Sequence, residues 1–340
     1  MRVDVVAPRG IIPQVHRLSS RVLDALVLLW LVTTITFALI HLAPGDPAAL
    51  LISPTASAEE AARQRTTLGL DAPLLMQYAH WIGGVLRGDL GESLVRAEPV
   101  TRVIADALPV SLFLGGVSLL ASFVIGTMLG MIQSLRASHR ADRVITALTT
   151  AIYAAPSFWL ALALVTLFTS GVVWLGLPPF LRLPAFGMQD PAADPTSIGW
   201  ADRWRHAVLP LLVLSLPGAA GVSRFARRAL LDAAVAPHVS AAYARGLSRG
   251  GVERAHVLRN ALTPLVVLFG LTLPGVIAGS VFVEQVFAWP GLGRTMLSAI
   301  AARDYPVVLG LTLVYAGAVV TANLLSDVIL LRLDPRRRTP

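Results

Sequence analysis

Six stretches of this chain stay apolar for about twenty residues or more: 22–42, 109–132, 145–172, 207–228, 262–283 and 307–331. At 1.5 Å per residue, each can cross a hydrocarbon layer about 30 Å thick. Inside lipid, every backbone N–H and C=O needs a partner within the protein, so runs of this length fold as helices. The sequence therefore predicts an all-α fold, a polytopic membrane helical bundle with six transmembrane helices. Charge agrees with this. Only 14% of the 340 residues are charged, against about 25% in a soluble domain, too few to wet a globular surface. The first run has a competing reading as a signal peptide, because it follows Arg9, Arg17 and Arg21. It is longer than the apolar core of such peptides, and no small-x-small cleavage site follows cleanly.

What the chain lacks narrows its chemistry. It has no cysteine, hence no disulfide, thiolate nucleophile or Cys-ligated metal. All 28 basic residues are arginine, which excludes a Walker A lysine, a Schiff base and a lysine general base. The seven histidines are scattered and form no HExxH; no GxSxG appears. No catalytic residue, cofactor or metal is expected. The net charge of +8 falls in membrane-flanking loops and implies no nucleic-acid partner.

Arginine sets the orientation. Eighteen of the 28 lie in 1–21, 133–143, 224–259 and the tail after 331. The positive-inside rule places that set in the cytoplasm, with both termini. The expected organisation is a cytoplasmic segment 1–21, a first span 22–42, an outer loop region 43–107, a core 108–331 holding spans two to six, and a tail 332–340. Within the outer loop, Leu75, Tyr78, Ala79, Ile82, Val85 and Leu86 recur at helical spacing and predict a short amphipathic helix on the membrane or against the bundle. The loop 173–206 reads as Pro- and Asp-rich coil. In 284–306, Trp289 is expected to anchor at the interface.

Pro156, Pro217 and Pro274 are expected inside spans, where neighbouring helices re-satisfy the freed carbonyls. Gly126/Gly130 and Gly275/Gly279 predict close helix packing. Asn323 and Asp327 share one helix face, and Arg332 is the expected partner of Asp327; pathway lining is the alternative. His41 and Gln133 are expected at interfaces. Asp24 is expected at a helix N-terminus. Glu284 either caps the bundle or meets a cationic peptide terminus, and capping is favoured.

The inner loop 229–260 carries the most information. Pro237 suits a first helical turn and Gly246 a C-terminal stop, which predicts a short helix from about Pro237 to Arg245. Ser248 suits the cap of a second helix running into span five. A short exposed helix between two spans can transmit motion; equally, a basic loop can merely set topology.

Ser240-Ala241-Ala242-x3-Gly246 and Arg259-Asn260-Ala261-Leu262-x-Pro264 resemble the EAA loop of binding-protein-dependent ABC importer permeases. Three further stretches resemble the dipeptide/oligopeptide/nickel permease family, specifically its B-type subunit. They are Phe37 to Pro47, Leu68-Gly-Leu-Asp-x-Pro with Gln77-Tyr78, Trp81 and Arg87-Gly-Asp-Leu-Gly-x-Ser93, and Glu284-Gln-Val-Phe-x-Trp-Pro-Gly-Leu-Gly293. The name-giving Glu of the loop is replaced by Ser240. The resemblance implies the type I (MetI-like) importer permease fold and a permease subunit that is not itself an enzyme. It implies peptides as cargo, with nickel or another small solute as the alternative; an ATP-independent secondary transporter is a third reading. The implied partners are a second homologous permease subunit, two ATPase subunits, an extracytoplasmic substrate-binding protein and the lipid bilayer. Ser240, Ala241, Ala242, Arg245, Gly246, Leu247 and Arg249 are the implied coupling residues. On this reading the two alanines let the helix approach an ATPase groove, and Arg245, Arg249 and Arg254 face acidic groups there.

Overall fold

In the computed structural model the described residues are 12–42, 57, 59, 60, 63, 72–190, 199–278 and 280–333. The first eleven residues, the end of the Phe37–Pro47 motif, Leu68–Asp71, Gly279, the side chain of Arg332 and the tail from 334 lie outside them.

Among the described residues, six helical stretches are long and apolar enough to cross a membrane. The chain opens with α1 (Ile12–Leu42). Asp24 lies exposed in the middle of this helix rather than at its start. Next comes α2 (Leu74–Val85), the amphipathic helix expected in the outer loop, and it packs on α1. The Tyr78 hydroxyl lies 2.6 Å from Thr34 Oγ1, and its ring meets Phe37 edge-on at 5.2 Å. His41 is not a loose interfacial side chain; its Nε2 lies 3.2 Å from Gln77 Oε1 and ties α1 to α2.

The centre of the bundle is α3 (Val100–Leu135) packed along α6 (Trp200–Ala234). Small residues bring the two backbones together. A Cβ on Gly126 would lie 2.6 Å from the Ala219 carbonyl oxygen, and one on Gly130 2.6 Å from that of Ser223. The Ser122 hydroxyl crosses to the Ser215 carbonyl at 2.9 Å, two residues before Pro217.

Between them, the expected third span is in two pieces. Helix α4 (Arg140–Ala154) ends before an extended Ala155, and Pro156 caps α5 (Ser157–Thr166). Proline disfavours helical geometry in the residue before it, so Pro156 separates two helices instead of kinking one. Helix α5 continues through a π turn, Leu167–Gly171, to Trp174, and the apolar stretch is Ser157–Trp174.

After α6 come α7 (Pro237–Ala244), α8 (Arg249–Val252), a π turn Glu253–Leu258, and α9 (Arg259–Thr272). The fifth span thus begins at Arg249 and ends at Thr272, earlier at both ends than 262–283. Pro274 marks its end rather than its interior. Short helices α10 (Gly275–Ala278), α11 (Val281–Val286) and α12 (Leu292–Ala301) follow. A Cβ on Gly275 would meet nothing within 4 Å, so this glycine does not serve helix packing. The last helix is α13 (Tyr305–Leu333); on it Asn323 is exposed and Asp327 half-buried.

Candidate functional site

The loop joining α6 to span five folds as its residues dictate. Ala236 is extended, and Pro237 takes the first turn of α7, where its missing N–H costs nothing. At the other end Gly246 has φ +81°, the left-handed conformation that glycine reaches without steric cost. The Gly246 N–H donates to the Tyr243 carbonyl at 2.9 Å and the Leu247 N–H to that of Ala242 at 3.4 Å, closing the helix in the manner of a Schellman turn. Ser248 caps α8, its hydroxyl accepting from the Gly251 N–H at 3.4 Å.

Helix α7 is two-faced. Val239 and Ala242 are fully buried against Leu230, Val252, Val257 and Ala261. Ser240, Ala241, Arg245, Gly246, Leu247 and Arg249 are exposed. Six of the seven residues singled out by sequence therefore lie on the open side, and Ala242 does not. Its small side chain lets α7 approach its own bundle, not an outside groove. Tyr243, 44% exposed, belongs to the open face and went unnoticed, because a tyrosine beside a basic loop reads as ordinary surface. Arg249 is already paired, its Nε 2.9 Å from Glu253 Oε1. Arg245 folds back on the Ala241 carbonyl at 3.3 Å. Both links leave the face cationic but ordered. One polar contact between exposed side chains joins the first turn of α7 to span five: Asn260 Nδ2 lies 2.7 Å from His238 Nε2.

The base under α7 is braced. The Arg227 guanidinium on α6 grips Asp142 on α4 through two bonds, 3.0 and 2.8 Å, and the Ser138 N–H adds a third at 3.1 Å. This guanidinium holds the Asp142 carboxyl below the ordinary carboxylate range. Gln133, in the last turn of α3, is completely buried and donates to Thr146 Oγ1 at 2.9 Å.

At the opposite end of the bundle, Glu284 is 0% exposed. Its carboxylate accepts from the Ser111 and Ser280 hydroxyls, each at 2.6 Å, and from the Gly293 and Arg294 N–H groups at 2.7 and 3.1 Å. It therefore caps the N-terminus of α12 and is not open to a ligand. Trp289 is 2% exposed and stacks on Phe113 with centroids 6.2 Å apart. It is a core residue rather than an interface anchor.

Midway along the bundle, a cavity of about 480 Å³ lies between α3, α6 and the broken end of span five. Hydroxyls of Ser118, Ser122, Ser157, Thr272 and Ser280 line it beside Pro217 and Gly275, with no charged side chain.

A family profile described as binding-protein-dependent transport system inner membrane component matches residues 122–339, and the profile for the N-terminal part of such components matches 15–115. The oligopeptide transport system permease protein AppB of Bacillus subtilis is 34% identical over 93% of this chain and 97% of its own length. The glutathione transport system permease protein GsiC of Escherichia coli O6:H1 is 33% identical over 94% of this chain and 97% of its own. The di/tripeptide transport system permease protein DppB of Pseudomonas aeruginosa is 34% identical over 90% and 94%. Among solved structures, an inward-facing MetNI methionine ABC transporter chain gives a TM-score of 0.51 at 19% identity, covering 69% of this chain and 97% of its own. A chain of an amino acid ABC transporter gives 0.50 at 15% identity, covering 68% and 94%. These two likenesses are of fold.

Proposed function

This chain belongs to the binding-protein-dependent transport system inner membrane components; it is a multi-pass permease subunit of a bacterial ABC importer, and from that membership we propose how its parts serve transport. Helix α7 is the coupling helix, the element that seats in a groove of an ATPase subunit. The observation that carries this reading is its two-faced burial. Val239 and Ala242 lock the underside to the span-four and span-five helices, so a push on the open face moves those spans as one body. Ser240, Ala241 and Leu247 supply the contact surface. Arg245 and Arg249 supply charge that steers docking more than it adds affinity. Gly246 supplies the turn.

The importer would hold a second homologous permease subunit beside this one, two ATPase subunits below, and a substrate-binding protein outside. The arginine excess supports cytoplasmic termini and a cytoplasmic α7. Peptides are the cargo in this proposal, supported by relatives named for oligopeptide, glutathione and di/tripeptide transport. The uncharged, largely apolar cavity at the break in span five, with five hydroxyls in its lining, is this chain's share of the pathway. Irregular backbone is tolerated at membrane depth where it lines such a space.

Ala241→Trp tests the coupling role, because it adds bulk to the open face and touches nothing beneath. The variant is expected to insert in the membrane at the normal level yet lose co-purification with its ATPase subunits. Unchanged co-purification would remove α7 from the coupling path.

A further inference from the structure

A second cavity, of about 420 Å³, opens at the flank of α7, where spans two and four end. Met131 and Leu135 of α3, Leu230 and Leu231 of α6, Val239 of α7 and Val257 of the π turn give it an apolar floor. Tyr243, Arg249, Glu253 and Arg254 form a polar wall above that floor. The Arg249 guanidinium holds the Glu253 carboxylate, so that acid is neutralised in place. Arg254 is exposed, and among the described residues no carboxylate pairs with it. The wall thus carries one cation in excess, beside a phenolic hydroxyl.

The surroundings indicate what fills this space. Val124 and Met128 are exposed on α3, and with Leu135 they follow intervals of four and seven, which puts all three on one face. An apolar stripe therefore runs along span two into the cavity. Ser118 and Ser122, which line the cavity midway along the bundle, fall on the other side of the same helix. The stripe ends at the arginine-rich end of the spans, the depth at which an inner leaflet keeps its headgroups. Basic pockets between spans at that depth suit anionic lipid headgroups, and a guanidinium matches a phosphate as a fork. An acidic protein side chain would meet Arg254 but leave the stripe uncovered, and a soluble phosphate would leave the floor empty.

We propose that the cavity holds one anionic phospholipid of the inner leaflet, its phosphate on Arg254 beside Tyr243 and an acyl chain on the floor and along Met128 and Val124. Ser240, Ala241 and Arg245, on the open face of α7, do not line the cavity, so lipid and ATPase take different sides of the helix. The site rests on the inward placement of α7 and not on its coupling role.

The chain has no cysteine, which permits a single bimane label at Leu135→Cys, on the exposed edge of the cavity, in the full-length protein. Phosphatidylcholine nanodiscs receive a small fraction of phosphatidylglycerol carrying a nitroxide on its acyl chain, or the same fraction of phosphatidylcholine carrying it. Quenching is expected to be about fivefold stronger with the phosphatidylglycerol, the worth of one basic residue at an anionic surface. Arg254→Gln, at an exposed position, should bring the two lipids to near equality. Ala234→Phe, exposed on the cavity wall, should fill the floor and do the same. A label at Leu162→Cys, exposed on α5, should be quenched equally by both lipids, and glycerol phosphate in solution should displace nothing. Equal quenching at Leu135→Cys, a preference that survives Arg254→Gln or Ala234→Phe, the same preference at Leu162→Cys, or displacement by glycerol phosphate would overturn the lipid site. Both leaflets of the nanodisc carry the quencher and no ATPase is present. Failure here is therefore separable from failure of the orientation and of the coupling role, which the Ala241→Trp co-purification reads.

Discussion

Glu284 illustrates how much one buried carboxylate can organise. It satisfies two hydroxyls and two backbone N–H groups drawn from α3, the turn before α11, and α12. Anions are favoured at a helix N-terminus, and in the Trp-Pro-Gly-Leu-Gly run Gly291 makes room for this one while Gly293 lets α12 approach Val281. A Cβ on Gly291 would fall 2.5–2.6 Å from the carboxylate oxygens, and one on Gly293 2.5 Å from the Val281 Cα. Glu284→Leu should strand all four donors. An unsatisfied buried donor costs about 1–3 kcal/mol, so a loss of several kcal/mol is expected, read as a lower thermal midpoint in detergent; a midpoint within a degree of the parent would contradict this account. Glutamate as a cap was legible in the sequence, since it closes an apolar run before a glycine-rich turn. Trp289 was not, because its burial depends on Phe113, a residue 176 positions earlier. Likewise the spacing of Ala241 and Ala242 said that both were small but not which one faced the bundle, and that required knowing where Val252 and Val257 would lie.

At the scale of elements, proline divided the legible from the illegible. Pro109, Pro210, Pro217 and Pro264 stay inside helices, whereas Pro156 and Pro274 mark where helices stop. Hydropathy treats all six alike. The two stops differ as well: Ala155 before Pro156 leaves helical geometry with ψ 131°, whereas Leu273 before Pro274 keeps it with ψ -42°. Once Pro156 frees α4 from the third span, the element needs its own attachment, and Asp142 provides it through Arg227. The carboxyl is held below its ordinary range, so the attachment is complete above about pH 4, the unfolded value. It is lost as the pH falls through the lower folded value. Asp142→Asn should therefore lower the melting temperature at pH 7. The gap from the parent should shrink as the pH drops below about 4, where the parent's own carboxylate is being protonated. Melting curves at pH 7 and pH 3 check both halves; a gap that stayed constant would mean that the ion pair contributes nothing. The short helix α7 was legible almost to the residue, because Pro237, Gly246 and Ser248 are local signals that need no tertiary partner. The π turn beneath it, Glu253–Leu258, carries no such mark.

For the molecule as a whole, six spans could be counted from the sequence because lipid removes every alternative to a helix for an apolar run of that length. The cavity could not, since it arises where span five stops at Thr272 opposite the hydroxyl face of α3. Its chemistry suits a conduit for peptides. Its lining is largely apolar. The hydroxyls of Ser118, Ser122, Thr272 and Ser280 already donate within the protein and keep only lone pairs to offer, and the absence of charge leaves no side chain to hold one sequence in place. If the cavity is wet, a thiol placed in it should behave as though in water. Gly275 is the position to use, because a new Cβ there meets nothing within 4 Å, and the native chain offers no competing thiol. Leu120, 58% exposed on α3, is not among the residues lining the cavity and serves as the control outside it. A charged, membrane-impermeant methanethiosulfonate should modify Gly275→Cys at least tenfold faster than Leu120→Cys, since the reagent attacks a thiolate that forms in water and not in hydrocarbon. Addition of ATP and the binding protein to the assembled importer should change the rate at Gly275→Cys and leave Leu120→Cys alone, because only the pathway changes its access during transport. Equal rates at the two positions would mean that the break in span five closes onto lipid or onto the neighbouring subunit, and the pathway would then have to run along another face of α3 and α6.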